Sequence, residues 1–419
     1  MPFEDELGTA LHRAADTFEP ADRPALVDGG LRIGRRRAVR RRAAAVTGSV
    51  LALALVGSAG AYAAGLFGGA GGGGRASVAV PPVETAKPGH GGAISGARMV
   101  STLKGLLPAG EFSRTEGRGT SDGLGPLAYG VFDDGKGKSA ISLSVGRVAA
   151  PGAATADNEQ VTCPDKALAR FDACHAERLA DGSRLMILQG YEYPDGRADT
   201  KDWTATLRTP DGLLVQVSEW NAAQEKDAPV SRPEPPLSPA RLKALVTADA
   251  WRAVGKAVPV PKPEKAPPVR RSPGASGKDI GAALRSLLPH GVKVTGSGGQ
   301  QEEYAYVTVD DGKGGTFVQI NVQPNMADVA DELVANGQHV ETLDDGTKVI
   351  TSKEPGEKGG AGVVQWTADT LRPDGFRVVV MEMNTATLQG PATRKAPALT
   401  MEQLRSIAVS DAWLKLRGA

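Results

Sequence analysis

A set of short motifs occurs twice in this chain, in the same order, so any fold must build the same unit twice. Leu106-Leu107-Pro108 returns as Leu287-Leu288-Pro289, and Asp133-Asp134-Gly135-Lys136-Gly137 as Asp310-Asp311-Gly312-Lys313-Gly314. His175, Glu177, Leu179, Asp181 and Gly182 match His339, Glu341, Leu343, Asp345 and Gly346. Trp203-Thr204-Ala205 and Pro210-Asp211-Gly212 match Trp366-Thr367-Ala368 and Pro373-Asp374-Gly375. Glu219 and Asn221 match Glu382 and Asn384, and Asp249-Ala250-Trp251 matches Asp411-Ala412-Trp413. The copies span residues 94–256 and 279–417. Residues 257–278 join them through six prolines, a stiff and extended spacer with no core of its own.

Each copy opens on a helical stripe: Met99, Leu103, Leu106 and Leu107 in the first, Ile280, Leu284, Leu287 and Leu288 in the second. The proline after each leucine pair stops that helix. Each copy also closes on a helix. Ser238-Pro239 supplies an N-cap and an N1 proline, while Thr400 and Gln403 form a capping box. Between the helices, Ala140 to Val145 and Phe317 to Val322 alternate as half-buried strands do. Three Asp-Gly sites per copy read as hairpin turns, because glycine accepts positive φ and aspartate bonds locally. The expectation is an α+β module: helix, about six antiparallel strands in three hairpins, helix.

The spacing of the copies is uneven in one place. Copy one holds 13 extra residues between its first and second Asp-Gly turns, and both cysteines of the chain, Cys163 and Cys174, lie in that interval. Two cysteines in one domain outside the reducing cytoplasm are expected to pair. Closing a loop of this size stabilises by roughly 3 kcal/mol. The disulfide therefore belongs to an insertion and not to the shared fold.

Ahead of the repeats stand seven arginines between Arg32 and Arg42, among them Arg35, Arg36, Arg37, Arg40, Arg41 and Arg42. Residues 43–67 follow, a run of 25 without a charge. About 20 apolar residues span a bilayer as a helix, so this run is expected to be a single transmembrane helix. The arginines keep residues 1–42 in the cytoplasm and the repeats outside. Ala61-Tyr62-Ala63 has the form of a signal-peptidase site, and cleavage after Ala63 is the competing expectation. Forty-two residues before the apolar run are far more than a signal peptide carries, which favours an uncleaved anchor. Residues 68–93 are a Gly- and Pro-rich tether.

Phe3, Leu7, Leu11 and Phe18 line one face of a short helix in the tail, either a loosely ordered segment lying on the membrane surface or a docking face for a cytosolic protein. The run Ala10-Leu11-His12-Arg13-Ala14-Ala15-Asp16-Thr17-Phe18-Glu19-Pro20, then Leu26-Val27-Asp28-Gly29-Gly30 and the arginine cluster, resembles the N-terminus of uncharacterised actinobacterial single-span membrane proteins. Their layout is similar to that of membrane-anchored anti-sigma factors. The resemblance covers about residues 1–65 and implies a tail that binds a sigma factor. The His-x-x-x-Cys-x-x-Cys motif of the zinc-type members is missing, since His12 stands alone.

Net charge is +1 for 49 Lys and Arg against 48 Asp and Glu, and the outer part is nearly neutral, which argues against nucleic acid as a partner. Asp134-Gly135-Lys136-Gly137-Lys138-Ser139 has the look of a phosphate loop, but Phe132 stands where that motif needs glycine, and a strand follows it. His175 with Glu177, and His339 with Glu341, share a strand face as i and i+2 residues do. Such a pair suits metal ligation or acid–base work, yet one histidine per copy is too few for a zinc site. Glu219 and Asn221, like Glu382 and Asn384, also share a face beside Trp203 and Trp366. These ten residues make up the candidate ligand surface, with core packing for the tryptophans and solvent exposure for the Glu/Asn pairs as the plainer alternative. No nucleophile motif is present, so no cofactor, metal or catalytic residue is expected. The sequence points to a single-pass membrane protein with a duplicated extracytoplasmic binding, structural or sensory module. An anti-sigma-like regulator acting through residues 1–42 and a cell-envelope hydrolase are the alternatives.

Overall fold

The computed structural model describes residues 92–148, 161–193, 198–259, 274–300, 302–327, 340–356 and 360–417. The predicted cytoplasmic tail at 1–42, the predicted span at 43–67, most of the tether, the middle of the spacer and His339 lie outside the described residues. Among the described residues no helix is long and apolar enough to cross a membrane.

The first repeat starts with α1 (Gly96–Leu106). Ser95 caps it, its hydroxyl accepting from Arg98 N at 3.3 Å. Met99 and Leu103, one turn apart, are fully buried. The helix stops because Leu107, held extended ahead of Pro108, cannot continue it. Gly96 lets the helix start lie directly on the sheet: a Cβ there would sit 2.1 Å from Gly117 O.

Seven strands follow: β1 (Glu111–Arg118), β2 (Leu127–Asp133), β3 (Lys138–Arg147), β4 (Phe171–Arg178), β5 (Arg184–Tyr191), β6 (Lys201–Arg208) and β7 (Leu213–Trp220). All neighbours pair antiparallel, in the order β1-β2-β3-β7-β6-β5-β4. The chain therefore meanders through three strands, crosses to the far edge over the insertion, and returns strand by strand until β7 closes against β3. Two helices end the repeat, α2 (Pro239–Val246) and α3 (Ala250–Ala257). Ser238 caps α2 with Pro239 behind it, as its sequence predicts.

The second repeat has the same plan. It runs α4 (Gly277–Leu287), β8 (Lys293–Gly299), β9 (Tyr304–Asp310), β10 (Thr316–Gln323), β11 (Val340–Thr342), β12 (Lys348–Pro355), β13 (Val364–Leu371), β14 (Arg377–Met383), α5 (Met401–Ala408) and a 3-10 helix (Asp411–Leu416). Its sheet order, β11-β12-β13-β14-β10-β9-β8, is the same series read from the other edge. The Thr400–Gln403 capping box is formed.

The three Asp-Gly sites in each copy are the β2–β3, β4–β5 and β6–β7 turns and their equivalents. Their glycines all carry φ between 81° and 88°. The expected count of about six strands per copy is corrected to seven among the described residues. The missed strand, β1 in one copy and β8 in the other, carries Glu-Phe-Ser-Arg-Thr-Glu-Gly-Arg and Lys-Val-Thr-Gly-Ser-Gly-Gly. Neither alternates in hydrophobicity, because each is an edge strand that gives the core a single side chain, Phe112 or Val294, and both contain a bulge.

One face of each sheet packs on its helices. In the first repeat Ile141, Leu143, Val215, Val217, Leu242 and Trp251 lie in one core; in the second Val318, Ile320, Val378, Val380, Leu404 and Trp413 do. The closing tryptophan of each copy donates from Nε1 to a helix carbonyl, Trp251 to Leu245 O at 2.8 Å and Trp413 to Ile407 O at 2.6 Å.

Candidate functional site

The helix face of each sheet carries the Glu/Asn pair. Glu219 lies across from Trp203 in the β6–β7 register, and Glu382 across from Trp366 in β13–β14. All four members of the two pairs are buried: Glu219 and Glu382 show no exposed surface, Asn221 shows 1% and Asn384 none. The solvent exposure considered for these pairs is thereby corrected. The physical reason is their partners, which satisfy them inside the protein.

Glu382 accepts from Thr316 Oγ1 at 2.6 Å, from Ala398 N at 2.9 Å and from Leu399 N at 3.1 Å. Glu219 accepts from Leu237 N at 3.1 Å. Each carboxylate thus holds the strap that leads into the closing helix. Asn384 fixes the same strap: Val364 N donates to its Oδ1 at 2.8 Å, and its Nδ2 donates to Gly362 O and Arg394 O at 2.9 and 2.6 Å. Asn221 accepts from Lys201 N at 2.8 Å and donates from Nδ2 to Asp199 O at 3.3 Å and, on the strap, to Pro233 O at 3.5 Å. Burial pushes the Glu382 carboxyl up to about 7, against the pull of the Thr316, Ala398 and Leu399 bonds. Burial pushes Glu219 well above the usual carboxylate range, opposed by Leu237 and Arg232.

A second shared fastening joins the strap to the first hairpin. Arg232 Nη1 binds Asp134 Oδ1 at 2.8 Å, and Arg394 Nη1 binds Asp311 Oδ1 at 2.6 Å. The Arg232 hydrogen bond holds the Asp134 carboxyl below its ordinary range. The Asp-Gly-Lys-Gly motif is therefore a pinned hairpin turn.

His175 and Glu177 do stand on one strand face, with His175 Nε2 at 3.9 Å from Glu177 Oε1. Glu177 is taken by Lys243 of α2 at 2.7 Å, and this hydrogen bond lowers its carboxyl pKa. In the second repeat Glu341 receives Arg405 of α5 at 2.6 Å. Both pairs tie an edge strand to the closing helix. Trp203 is 4% exposed within the core. Trp366 is half-buried under Lys353, whose Nζ lies 4.1 Å from the ring centroid. Among the described residues no group of three His, Cys, Asp or Glu is placed to hold a metal ion.

The predicted disulfide is formed, Cys163 to Cys174, with Cys174 on β4. It packs with Val161 and Phe171 on Met186 and Leu188, on the sheet face opposite the helices. Call this the outer face. From there the loop tip reaches the outer face of the second sheet. Ala167 and Leu168 pack with Tyr304, Tyr306, Phe317 and Leu388. Leu388 N donates to Ala167 O at 2.8 Å, and Tyr306 Oη donates to Asp165 Oδ2. Burial first, and then the Asp165 carboxylate, raises the Tyr306 phenol pKa. This contact escaped the sequence reading, since no periodicity marks which surface an insertion will touch. Its mark in the sequence is Tyr304 and Phe317, which stand where copy one has Leu127 and Ala140, while Tyr306 has a tyrosine, Tyr129, as its equivalent.

The outer face of the first repeat is different in chemistry. Trp220 Nε1 donates to Glu192 Oε2 at 3.1 Å, and Lys226 lies 3.5 Å from Glu192 and 2.9 Å from Glu225. Beside them is Asp202, whose Oδ1 is buried without a hydrogen-bond partner among the described residues. Burial, then the neighbouring Glu192 and Glu225, pushes its carboxyl well up. This face is acidic and aromatic where its counterpart is aromatic and covered.

No known protein family matches the chain, and no curated protein does. Among solved structures, the crystal structure of MucB in complex with MucA(peri) aligns over 73% of this chain and 95% of that one, at 12% identity and a TM-score of 0.16. A likeness that slight carries no argument about fold or partner.

Proposed function

We propose that this chain is a single-pass membrane protein whose duplicated α+β module works outside the membrane by binding or scaffolding, without chemistry of its own. The uncharged run at 43–67 and the one-sided arginines support the topology. The disulfide supports an oxidising compartment for the repeats. The observation that carries the non-enzymatic reading is the use made of the residues best suited to catalysis. Glu219, Glu382, Glu177 and Glu341 are each engaged by a strap or a closing helix, in both copies, in the same way. What differs between copies is the outer face, which is where recognition would reside. On the inner side, the apolar stripe Phe3, Leu7, Leu11 and Phe18 supports a tail that docks a cytosolic protein, in the manner of an anti-sigma regulator.

The reading is tested by substituting its best chemical candidates. His175→Ala and Glu177→Gln in the intact protein should leave any ligand binding by the repeats unchanged. A hydrolytic activity of the purified full chain that these changes abolish would overturn it. For the tail, residues 1–42 as bait should recover a sigma factor from cytosol, with Leu7→Asp abolishing capture; recovery unaffected by Leu7→Asp would reject the stripe as the docking face.

A further inference from the structure

We infer that the loop closed by Cys163 and Cys174 is a redox-gated latch between the repeats: with the disulfide formed, its tip covers the outer face of the second sheet, and with the disulfide reduced, that face is released. Three observations bear on this. The loop belongs to an insertion that only copy one has, so the shared fold does not require it. Its two ends serve different sheets: the disulfide side packs on Met186 and Leu188 of β5, while the tip lies on Tyr304, Tyr306 and Phe317. The surface beneath the tip is matched to it, with Tyr306 and Phe317 stacked at 5.0 Å between centroids and both almost fully buried.

The tip is shaped for this contact by its own bonds. Asp165 Oδ1 accepts from Ala167 N at 2.9 Å, and Asp165 O accepts from Leu168 N at 3.0 Å. That tight turn leaves Asp165 Oδ2 for Tyr306 and presents Leu168 to the rings. Copy one keeps a tyrosine, Tyr129, where the second has Tyr306, but holds Leu127 for Tyr304 and Ala140 for Phe317, so it lacks the stacked ring pair on which the tip sits. Cys174 is fixed by its place in β4, and the bond to Cys163 sets where the tip can go. Without it, the tip must order itself at an entropic cost, against a contact made by Ala167 and Leu168, the Asp165 carboxylate and one backbone bond. The gating step needs a dithiol reductant. Its two thiols pass two electrons and two protons to the Cys163–Cys174 bond, giving two cysteine thiols and the reductant's own disulfide.

The test uses the full-length protein and hydroxyl-radical footprinting of Tyr306, read by mass spectrometry before and after dithiothreitol. Reduction should raise Tyr306 modification about fivefold or more, as expected for a buried ring that opens locally, while Met99 and Trp251 in the core of the first repeat stay protected. Leu168→Asp, with the disulfide intact, should raise it as much without reductant. Tyr306 modification that is flat on reduction overturns the gating. Modification that is flat in Leu168→Asp overturns the latch itself. Exposure of Met99 and Trp251 along with Tyr306 on reduction also overturns it, since the disulfide would then be a general staple of the first repeat. None of these outcomes depends on whether the repeats bind an external ligand.

Discussion

Glu382 couples the stability of the second repeat to pH. Its carboxyl is pushed up to about 7 in the folded protein, from an ordinary value near 4.5, chiefly by burial. The folded state therefore holds a proton that the unfolded state has lost between those values. Stability from this group is present below the unfolded value and falls as pH rises through the folded one. The span corresponds to a loss of about 3 kcal/mol at most. Amide exchange of β14, measured between pH 5 and pH 8, should show opening become easier as pH rises, and Glu382→Gln should flatten the trend; a variant as steep as the parent would refute the assignment. Asn384 makes a second residue-level case. Its three hydrogen bonds join the strap to the sheet, so Asn384→Ala should cost about 2 kcal/mol in urea unfolding. A cost below about 0.5 kcal/mol, the level of an ordinary surface change, would mean the strap does not depend on it.

At the level of elements, the turns separate backbone conformation from packing. Gly135 and Gly212 both carry φ near +84°. A Cβ at Gly135 meets nothing within 4 Å, whereas one at Gly212 would lie 2.5 Å from Val148 O. Gly135→Ala should therefore cost about 1 kcal/mol, the price of the left-handed conformation, and Gly212→Ala clearly more, because Val148 N also donates to Gly212 O at 2.9 Å. Equal melting temperatures for the two variants would contradict this. These turns were legible from sequence because Asp-Gly has a local mechanism. So were the helices with caps, and strands such as β3 and β10 that alternate. The edge strands β1 and β8 were not legible, because an edge strand is held by its neighbour's backbone and needs no apolar pattern of its own. The crossover that sets β7 beside β3 was also invisible, since antiparallel pairing leaves no mark on which distant strand will be the partner. Glu219 and Glu382 drew attention by recurring in both copies; their burial could not be read, because it depends on a strap arriving from 16 to 18 residues away in the chain.

For the whole molecule, the duplication visible in the motifs is realised as two sheets of identical strand order, and the loop closed by the disulfide, in the interval where copy one is 13 residues longer, touches both. The copies share their interior fastenings and differ on their outer faces, acidic around Glu192, Asp202 and Glu225 in one, aromatic around Tyr306 and Phe317 in the other. The proposed binding or scaffolding role depends on these outer faces standing outside the membrane. The most direct test is protease accessibility in intact cells, with an epitope tag at each end of the full chain. External protease should remove the C-terminal tag and leave the N-terminal tag on a membrane-bound fragment of somewhat more than 67 residues. Protection of the C-terminal tag, or recovery of a soluble chain beginning after Ala63, would contradict the anchored, outward-facing arrangement.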